Sequence, residues 1–414
     1  EVLSIRINFR FVREYNRTNC ILYSSLLSNG ELTVPISTHA VVVGAGIAGV
    51  MTALYLQRRG CSVTLVDRWE PGHSRASSSD YNRILRAIHG SDEMYTRWVR
   101  EARLRWMELE QELNTELYIE CGALILAEEG HSTWEEVTMP TFDKLGVPYV
   151  RVGPDELPVR FPQFDFRKVA FGLWEPEAGM VLAHRAVTET FKLFQREGGQ
   201  FRRGRVTTDE TETPLLDGKP LSADLVVMSC GSWLAYLFRQ TLGPLLKVIR
   251  QDIVYTSTPD GDRSFDADQM PCFVDHGYGA YGIPSVYGWG VKAAIAWHAT
   301  DIDLDDEDRV VDQSAIARSR QYWAYRFPRL ANEIVIDQKA CHISMTPDTH
   351  FIIDFHPRHS NVLIVGGCSG HLFKHGPMLG DYVAGVGLQE WGTAPRFKIG
   401  PRTSMPMSES PSGR

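Results

Sequence analysis

The 414-residue sequence lacks any uninterrupted apolar run of about 18 residues or more, so it predicts no membrane-spanning helix. It also lacks a basic block, because 43 Lys and Arg residues stand against 51 Asp and Glu, for a net charge of −8. We therefore expect neither nucleic acid nor a membrane as a partner. A hydrophobic fraction of 43% and a charged fraction of 23% are typical of a globular protein, here long enough for two or three domains.

The seven cysteines lie far apart in the sequence, and no CxxC pair occurs. This pattern indicates neither a disulfide framework nor a zinc site, so we expect no metal. Unpaired thiols favour a reducing compartment, and we predict a cytoplasmic protein while leaving peroxisomal or organellar targeting open. Residues 1–35 carry arginines but no clean apolar segment, which predicts a disordered leader rather than a secretory signal. Residues 393–414, rich in Pro, Ser and Met, predict a disordered tail.

A glycine-rich turn near the N-terminus follows a short apolar run at residues 39–43 and precedes a helical pattern. Three glycines satisfy the GxGxxG spacing, namely Gly44, Gly46 and Gly49. The first permits a tight turn, the second lets the backbone approach a pyrophosphate, and the third lets helix and strand pack closely. A second apolar run at 61–66 ends at Asp67, where an acid can accept a hydrogen bond from a ribose hydroxyl. The motif predicts a dinucleotide site and leaves both FAD and NAD open.

The rest of the chain alternates between helical and strand-like patterns. Helical spacing occurs at 92–118, 180–197, 311–327 and from about 377, and strand-like runs occur at 223–228, 247–298 and 361–365. We predict an α/β (α+β) fold in which a Rossmann-like binding domain is interleaved with a mixed, largely antiparallel sheet domain. The predicted binding domain comprises 36–90, 165–240 and 338–392, and the second domain comprises 91–164 and 241–337.

Two segments near the C-terminus carry distinctive motifs, CHISMTPDTHFIID at 341–354 and GCSGHLFK at 367–374. Together with the glycine fingerprint, they resemble the monomeric sarcosine oxidase family over about residues 38–390. That family includes N-methyltryptophan, pipecolate and fructosyl amino acid oxidases, within the wider D-amino acid oxidase-like flavoproteins. The resemblance implies a monomeric FAD-dependent oxidase of a secondary amine or N-substituted α-amino acid. Its partners would be that small molecule and oxygen, and its products an imine and hydrogen peroxide.

The resemblance also assigns roles to individual positions. Cys341 corresponds to the cysteine that bonds the flavin 8α-methyl group through sulfur. Lys374 and Arg86 correspond to the cations that hold the substrate carboxylate, with Lys374 also beside the cofactor. The turn that contains Gly367 and Gly370 leads into a helix whose N-terminus would point at the flavin and stabilise the anionic reduced ring.

The remaining assignments concern the reaction itself. Arg83 corresponds to an arginine close to the flavin ring, and Lys292 to the lysine credited with activating oxygen. Tyr281 and His298 correspond to an active-site tyrosine and histidine. Lys292 and His298 are separated by an even number of residues, which places both side chains on one face of a strand.

Several departures from the family pattern keep other functions open. The run Ser79-Asp80-Tyr81-Asn82 looks more like fungal fructosyl amino acid oxidases, and the segment 200–224 is short for the family. A fructosyl amino acid or pipecolate-type oxidase and a natural-product tailoring amine oxidase are therefore alternatives. A degenerate, non-catalytic flavoprotein is the alternative outside enzymology, although the presence of Lys292, Lys374 and Cys341 argues against it.

Overall fold

The computed structural model describes residues 38–295 and 303–404. The helices of this part of the chain are α1 (Ile47–Arg58), α2 (Glu93–Leu113), α3 (Thr133–Leu145), α4 (Leu157–Arg160), α5 (Ala183–Arg196), α6 (Leu234–Leu237), α7 (Arg239–Leu242), α8 (Gln313–Arg326) and α9 (Gly376–Gly387). Its strands are β1 (His39–Val43), β2 (Ser62–Asp67), β3 (Arg83–Leu85), β4 (Tyr118–Ile119), β5 (Ala123–Glu128), β6 (Val150–Val152), β7 (Val169–Glu175), β8 (Gly179–Val181), β9 (Gln200–Arg203), β10 (Val206–Thr208), β11 (Pro214–Leu216), β12 (Lys219–Pro220), β13 (Leu225–Met228), β14 (Lys247–Thr256), β15 (Cys272–Asp275), β16 (Ala280–Ile283), β17 (Val291–Ile295), β18 (Val335–Met345), β19 (Ile352–His356) and β20 (His359–Gly366).

One sheet has six strands in the order β19-β20-β13-β1-β2-β9. Its strands run parallel except for β19, which pairs antiparallel with β20 at the edge. The central strand β1 is buried from Ala40 to Val43, as expected for a parallel strand covered on both faces. Helix α1 connects β1 to β2 and packs closely against α9, where a Cβ on Gly380 would lie 2.6 Å from the Cβ of Met51. The predicted Rossmann-like unit is confirmed.

The second large sheet has eight strands in the order β18-β14-β17-β16-β15-β5-β7-β6, and only β15 and β5 pair in parallel. One face packs on α8, with Trp323 among the apolar residues there. Tyr255 pairs with Lys292, and Gln251 pairs with Cys341. Because alternate residues point to the same side of a strand, these four side chains share the other face of the sheet.

Two strands belong to a different sheet from the one that the predicted domain segments imply. Strand β7 falls within 165–240 and most of β18 within 338–392, yet both strands belong to the eight-stranded sheet. Both are held by partners distant in sequence, β7 by β5 and β18 by β14, and a local sequence pattern does not reveal such partners. The short segment 200–224 still contributes four strands, β9 to β12.

The C-terminal tail is structured further than the sequence indicates. Residues 393–404 are described, and Phe397 is fully buried in a single helical turn, Pro395–Phe397, against Tyr95. The predicted disorder is therefore wrong for 393–404, because one aromatic side chain anchors a polar segment to the core. Among the described helices, none combines the length and apolar character needed to cross a bilayer.

Candidate active site

The glycine turn after β1 is closely packed against β13. Gly44 has φ +100°, and a Cβ there would lie 2.5 Å from the carbonyl oxygen of Ser229. A Cβ on Gly49 would lie 1.7 Å from the carbonyl oxygen of Gly44, so the first turn of α1 requires glycine at this position. Gly46 is the N-cap residue of α1 and supplies no side-chain cap. The turn thus brings a helix N-terminus to the end of a buried parallel strand, an arrangement that favours a bound phosphate.

A cavity of about 410 Å³ opens beside this turn. Residues from the turns after β1, β2, β9, β13 and β20 line it, and they include Gly44, Gly46, Asp67, Trp69, Ser77, Arg205, Cys230, Trp233, Gly366 and Cys368. The carboxyl ends of neighbouring parallel strands therefore meet at one site, the usual position for ligands in open α/β sheets.

Asp67 ends β2 and lines the same cavity. Its carboxylate accepts hydrogen bonds from the backbone N–H of Ala45 at 2.6 Å and of Trp69 at 2.9 Å. Burial raises its pKa, while these two N–H donors act in the opposite direction. Asp67 therefore supports the shape of the glycine turn in addition to its predicted contact with a ribose.

The second predicted glycine turn follows β20. Gly367 and Gly370 adopt positive φ values of +63° and +76°. The intervening Ser369 donates its backbone N–H to the carbonyl oxygen of Ser344 at the end of β18, at 2.9 Å. The turn leads through a short helical segment that contains Lys374 into α9. The turn therefore connects the cavity-lining end of β20, in the six-stranded sheet, to β18, in the eight-stranded sheet.

A buried group of charges surrounds Asp80, just before β3; we call Asp80, Arg83 and Lys292 the Asp80 cluster. Asp80 forms an ion pair with Arg83 and accepts a hydrogen bond from Lys292 Nζ at 2.5 Å. Lys292 is fully buried and also donates to the carbonyl oxygen of Asn82 at 3.0 Å. Burial lowers the pKa of Lys292 to about 8, and the Asp80 charge opposes that shift. The cluster holds a buried ammonium group in one fixed position.

Cys341 lies beside this cluster on β18. Its Sγ is 3.7 Å from Nη2 of Arg83 and 3.7 Å from the carbonyl oxygen of Ser77, a residue that lines the cavity. Burial raises the pKa of the Cys341 thiol, and the positive charge of Arg83 acts against this. The predicted cofactor cysteine, arginine and lysine are thus brought together from β18, β3 and β17.

A second group of charges lies just after β3; we call Arg86, Glu175 and Lys374 the Glu175 cluster. Nζ of Lys374 donates to the backbone carbonyl of Arg86 at 3.2 Å, and both side chains are buried. Glu175 accepts the backbone N–H of Ala87 at 2.6 Å. Burial raises the pKa of Glu175 to about 7, although the charges of Lys374 and Arg86 lower it. The two predicted carboxylate-binding cations therefore share one buried site.

Three buried histidines adjoin this second cluster, and their nitrogen atoms lie within 4.8 Å of one another: His89, His371 and His375. Burial, together with the positive charge of Lys374, holds their pKa values well below the usual range. Neutral imidazoles are suitable metal ligands, but the adjacent charges of Lys374 and Arg86 oppose the binding of a cation. All three rings pack against Tyr95 in the core.

The last two predicted residues have different outcomes. Tyr281 lies on β16, with its ring centroid 5.7 Å from Nζ of Lys292 and its hydroxyl 3.5 Å from Gln251 Oε1. It therefore belongs to the same sheet face as the Asp80 cluster. His298 lies outside the described residues, so its predicted role stays a prediction.

Comparisons with known proteins identify the family of this chain. A family model described as DAO, FAD dependent oxidoreductase, matches residues 39–386. The chain belongs to this FAD dependent oxidoreductase family. It is 27% identical to a monomeric sarcosine oxidase of Bacillus sp. over 367 residues, covering 85% of this chain and 93% of the relative. It is 26% identical to the peroxisomal sarcosine oxidase of Homo sapiens over 373 residues, covering 87% and 94% of the two chains.

The same fold occurs in solved structures of other oxidases. A fructosyl peptide oxidase from E. terrenum superimposes with a TM-score of 0.76 at 20% identity, covering 90% of this chain and 93% of that one. The family comparison decides between the two cofactors that the glycine motif left open, in favour of FAD. The residues fit that cofactor, because Gly44 and Gly49 leave no room for side chains and the N-terminus of α1, where Gly46 carries no capping side chain, faces the cavity.

Sequence reasoning assigned no role to two carboxylates of the oxidoreductase. Asp80 lies in the run that departs from the family pattern, and Glu175 belongs to none of the motifs. A signal for Asp80 was present in Lys292, because a lysine within an apolar strand requires a buried counter-charge. No local pattern identifies which of the 51 acidic residues supplies it.

Proposed function

We propose that this FAD-dependent oxidoreductase oxidises a secondary amine or N-substituted α-amino acid at the carbon–nitrogen bond. The substrate loses two electrons and two protons to become an imine, and oxygen takes up both to become hydrogen peroxide. The bound flavin supplies the electron transfer, while the protein supplies position and electrostatic field. The observation that carries the proposal is the buried pair of cations, Arg86 and Lys374, which Lys374 Nζ joins through the backbone carbonyl of Arg86.

In this proposal Arg86 and Lys374 hold the carboxylate of the substrate. A guanidinium group offers two parallel donors to a carboxylate, and an ammonium group adds a point charge. Two such anchors fix the orientation of the α-carbon, so the C–H bond beside nitrogen has a defined direction. Burial excludes water, which strengthens both interactions.

Lys292 serves the second half of the reaction. Oxygen gains negative charge as it accepts electrons, and a fixed cation in a site that excludes water stabilises that charge. The contacts of Lys292 with Asp80 and Asn82 keep its charge in place before oxygen arrives. Tyr281 lies close to this charge, on the same sheet face.

We further propose that Cys341 carries the flavin covalently. A sulfur–carbon bond to the 8α-methyl group would replace the S–H bond and one C–H bond, and the two electrons released would pass through the ring to oxygen. The positive charge of Arg83 beside Sγ supports this role by favouring the thiolate.

Acid precipitation of the purified protein should leave the yellow colour in the pellet, whereas Cys341→Ser should release it. Cys61→Ser, which changes a buried thiol on the six-stranded sheet side, is the control and should retain the colour. Colour in the wild-type supernatant would exclude the link.

A peroxide-coupled screen tests the function. Sarcosine, pipecolate, N-methyl amino acids and fructosyl amino acids are each offered with their decarboxylated analogues. We expect peroxide from at least one carboxylated secondary amine and much less from its analogue. Equal turnover of both would contradict the role of the cation pair, and no flavin reduction by any amine would contradict the function.

One alternative is favoured by a specific observation. The run from Ser79 to Asn82 resembles fructosyl amino acid oxidases, and Asp80 in that run is part of the site. Turnover of fructosyl amino acids but not sarcosine would therefore select the alternative. A monomeric state and a cytoplasmic location complete the proposal.

A further inference from the structure

Asp80 makes more polar contacts than a turn residue requires. Its Oδ2 accepts Nζ of Lys292 at 2.5 Å, and its Oδ1 accepts the hydroxyl of Tyr255 at 2.5 Å. The backbone N–H of Tyr81 donates to Oδ1 at 2.8 Å, and Arg83 completes the set with an ion pair. Only 3% of Asp80 is exposed. One carboxylate thus joins β3, β14 and β17 at a single point.

The opposite charge on Lys292 explains why such a carboxylate is needed. A fully buried ammonium group is costly unless an opposite charge and hydrogen-bond acceptors surround it. Asp80 supplies the charge, and the carbonyl oxygen of Asn82 supplies a second acceptor at 3.0 Å. Without Asp80, the positive charge of Arg83 would lie near Lys292 with no anion between them, and both burial and repulsion would favour the neutral amine.

Among the described residues, the groups that face Lys292 come from several neighbouring elements. They are Asp80 and Arg83 around β3, Tyr255 on β14, Cys272 on β15, Tyr281 on β16 and Cys341 on β18, with Lys339 on β18 at 3.9 Å from Asp80. Asp80 is the one carboxylate among these groups. The charge state of Lys292 therefore depends on this residue.

We propose that Asp80 is a positioning residue that keeps Lys292 charged and fixed where oxygen is reduced. This rests on the proposed function, because it assumes that Lys292 acts on oxygen. Asp80 need not contact substrate or oxygen. It acts through Lys292, and the alternative is that Asp80 only fastens the strands to each other.

The first test measures flavin reoxidation in Asp80→Asn. The bound flavin is reduced with dithionite and mixed with oxygen at several pH values, so no amine substrate is involved. We expect reoxidation at pH 8 to slow by about tenfold or more, and the pH at which it declines to fall by about one unit or more. Asp252→Asn, which changes a buried carboxylate paired with Arg250 on β14, is the control and should match wild type. A wild-type rate and profile in Asp80→Asn would overturn the proposal.

The second readout does not depend on activity. Lys292 has a lower pKa in the folded chain, about 8, than the ordinary value of 10.5, so stability rises with pH between about 8 and 10.5, where the unfolded chain binds more protons. In Asp80→Asn this rise should begin at a lower pH, and the thermal midpoint of the FAD-loaded protein should increase between pH 6 and 8. Adding Lys292→Met should remove that increase. A flat profile in Asp80→Asn would contradict the proposal.

The double variant, Asp80→Asn with Lys292→Met, also tests the proposal if Asp80→Asn alone does not fold. If Asp80→Asn does not fold but Asp80→Asn with Lys292→Met does, the unpaired charge caused the failure and the proposal is supported. If neither folds, Asp80 is needed regardless of Lys292, and the proposal is overturned. Failure of the amine function would appear separately, as a flavin that no amine reduces but that still reoxidises after dithionite.

Discussion

Two buried carboxylates flank the short strand β3, and their environments are opposite. Asp80 lies in direct contact with two cations, and the charges of Lys292 and Arg83 outweigh burial and hold its pKa below the ordinary value. Glu175 receives two backbone N–H donors from Ala87 and Ile88, yet burial raises its pKa to about 7. The same chemical group is therefore permanently charged in one cluster and titrates near neutral pH in the other.

This difference matches two different tasks. The Asp80 cluster has its counter-charge built in, so its cations are held in place whether or not a ligand is present. In the Glu175 cluster, loss of the Glu175 charge increases the net positive charge around Arg86 and Lys374, which favours an anionic ligand. We therefore expect the Asp80 cluster to serve the reaction with oxygen and the Glu175 cluster to serve substrate binding. Each prediction below tests this separation.

The largest effect should follow Lys292→Met, which keeps the length and apolar bulk of the side chain and deletes its charge. Losing about 2–4 kcal/mol of stabilisation should slow reoxidation of the reduced flavin by roughly thirty- to a thousandfold. Reduction by substrate under anaerobic conditions should change much less, and stopped-flow absorbance follows each half separately.

Lys339→Met is the matched control for that experiment. Lys339 lies on β18, which β14 separates from β17, and it is 3.9 Å from Asp80 and partly exposed, so its removal should have a far smaller effect on reoxidation. Equal slowing of both half-reactions in Lys292→Met would show that the two clusters do not divide the reaction.

A smaller effect, in the other half-reaction, should follow Arg86→Ala. Losing a charge-assisted contact costs on the order of 2 kcal/mol, so apparent substrate binding should weaken by roughly thirtyfold. Flavin reoxidation should stay near the wild-type rate. Arg103→Ala removes a comparable side chain of α2 that pairs with Glu120, and it should leave both half-reactions unchanged. Slower reoxidation in Arg86→Ala would contradict the division of the two half-reactions between the two clusters.

The two clusters also show how far the sequence alone could go. The βαβ unit follows from local patterns, because Gly44 to Gly49, the buried strands and the helix between them are all contiguous. The resemblance placed Arg83, Arg86, Lys292, Cys341 and Lys374 in one site, and the structure brings them into two adjacent clusters. The membership of β7 in the larger sheet could not be predicted, because it depends on pairing with β5 across many residues.

The two carboxylates show more clearly what the sequence alone cannot predict. Asp80 lies in a serine-rich run that is typical of an exposed turn. Its partner Lys292 is 212 residues away. Glu175 ends a strand that the sequence assigned to the other domain. Whether an acid is buried, and beside which cation, is decided by tertiary packing.

The smallest effect should be a pH dependence controlled by Glu175. Its pKa of about 7 means that it is neutral below pH 7 and negative above it. A negative charge near Arg86 and Lys374 repels the substrate carboxylate, so affinity should be highest below pH 7 and should fall as the pH rises. If binding shifts the pKa of Glu175 by about one unit, the affinity difference approaches tenfold.

Glu175→Gln should keep the high affinity and lose the pH dependence, as measured by substrate titration of the flavin absorbance. Glu212→Gln, at a buried carboxylate paired with His356 elsewhere, should keep the wild-type profile. If Glu175→Gln also keeps that profile, the charge in the two clusters is equally fixed and the contrast between them disappears.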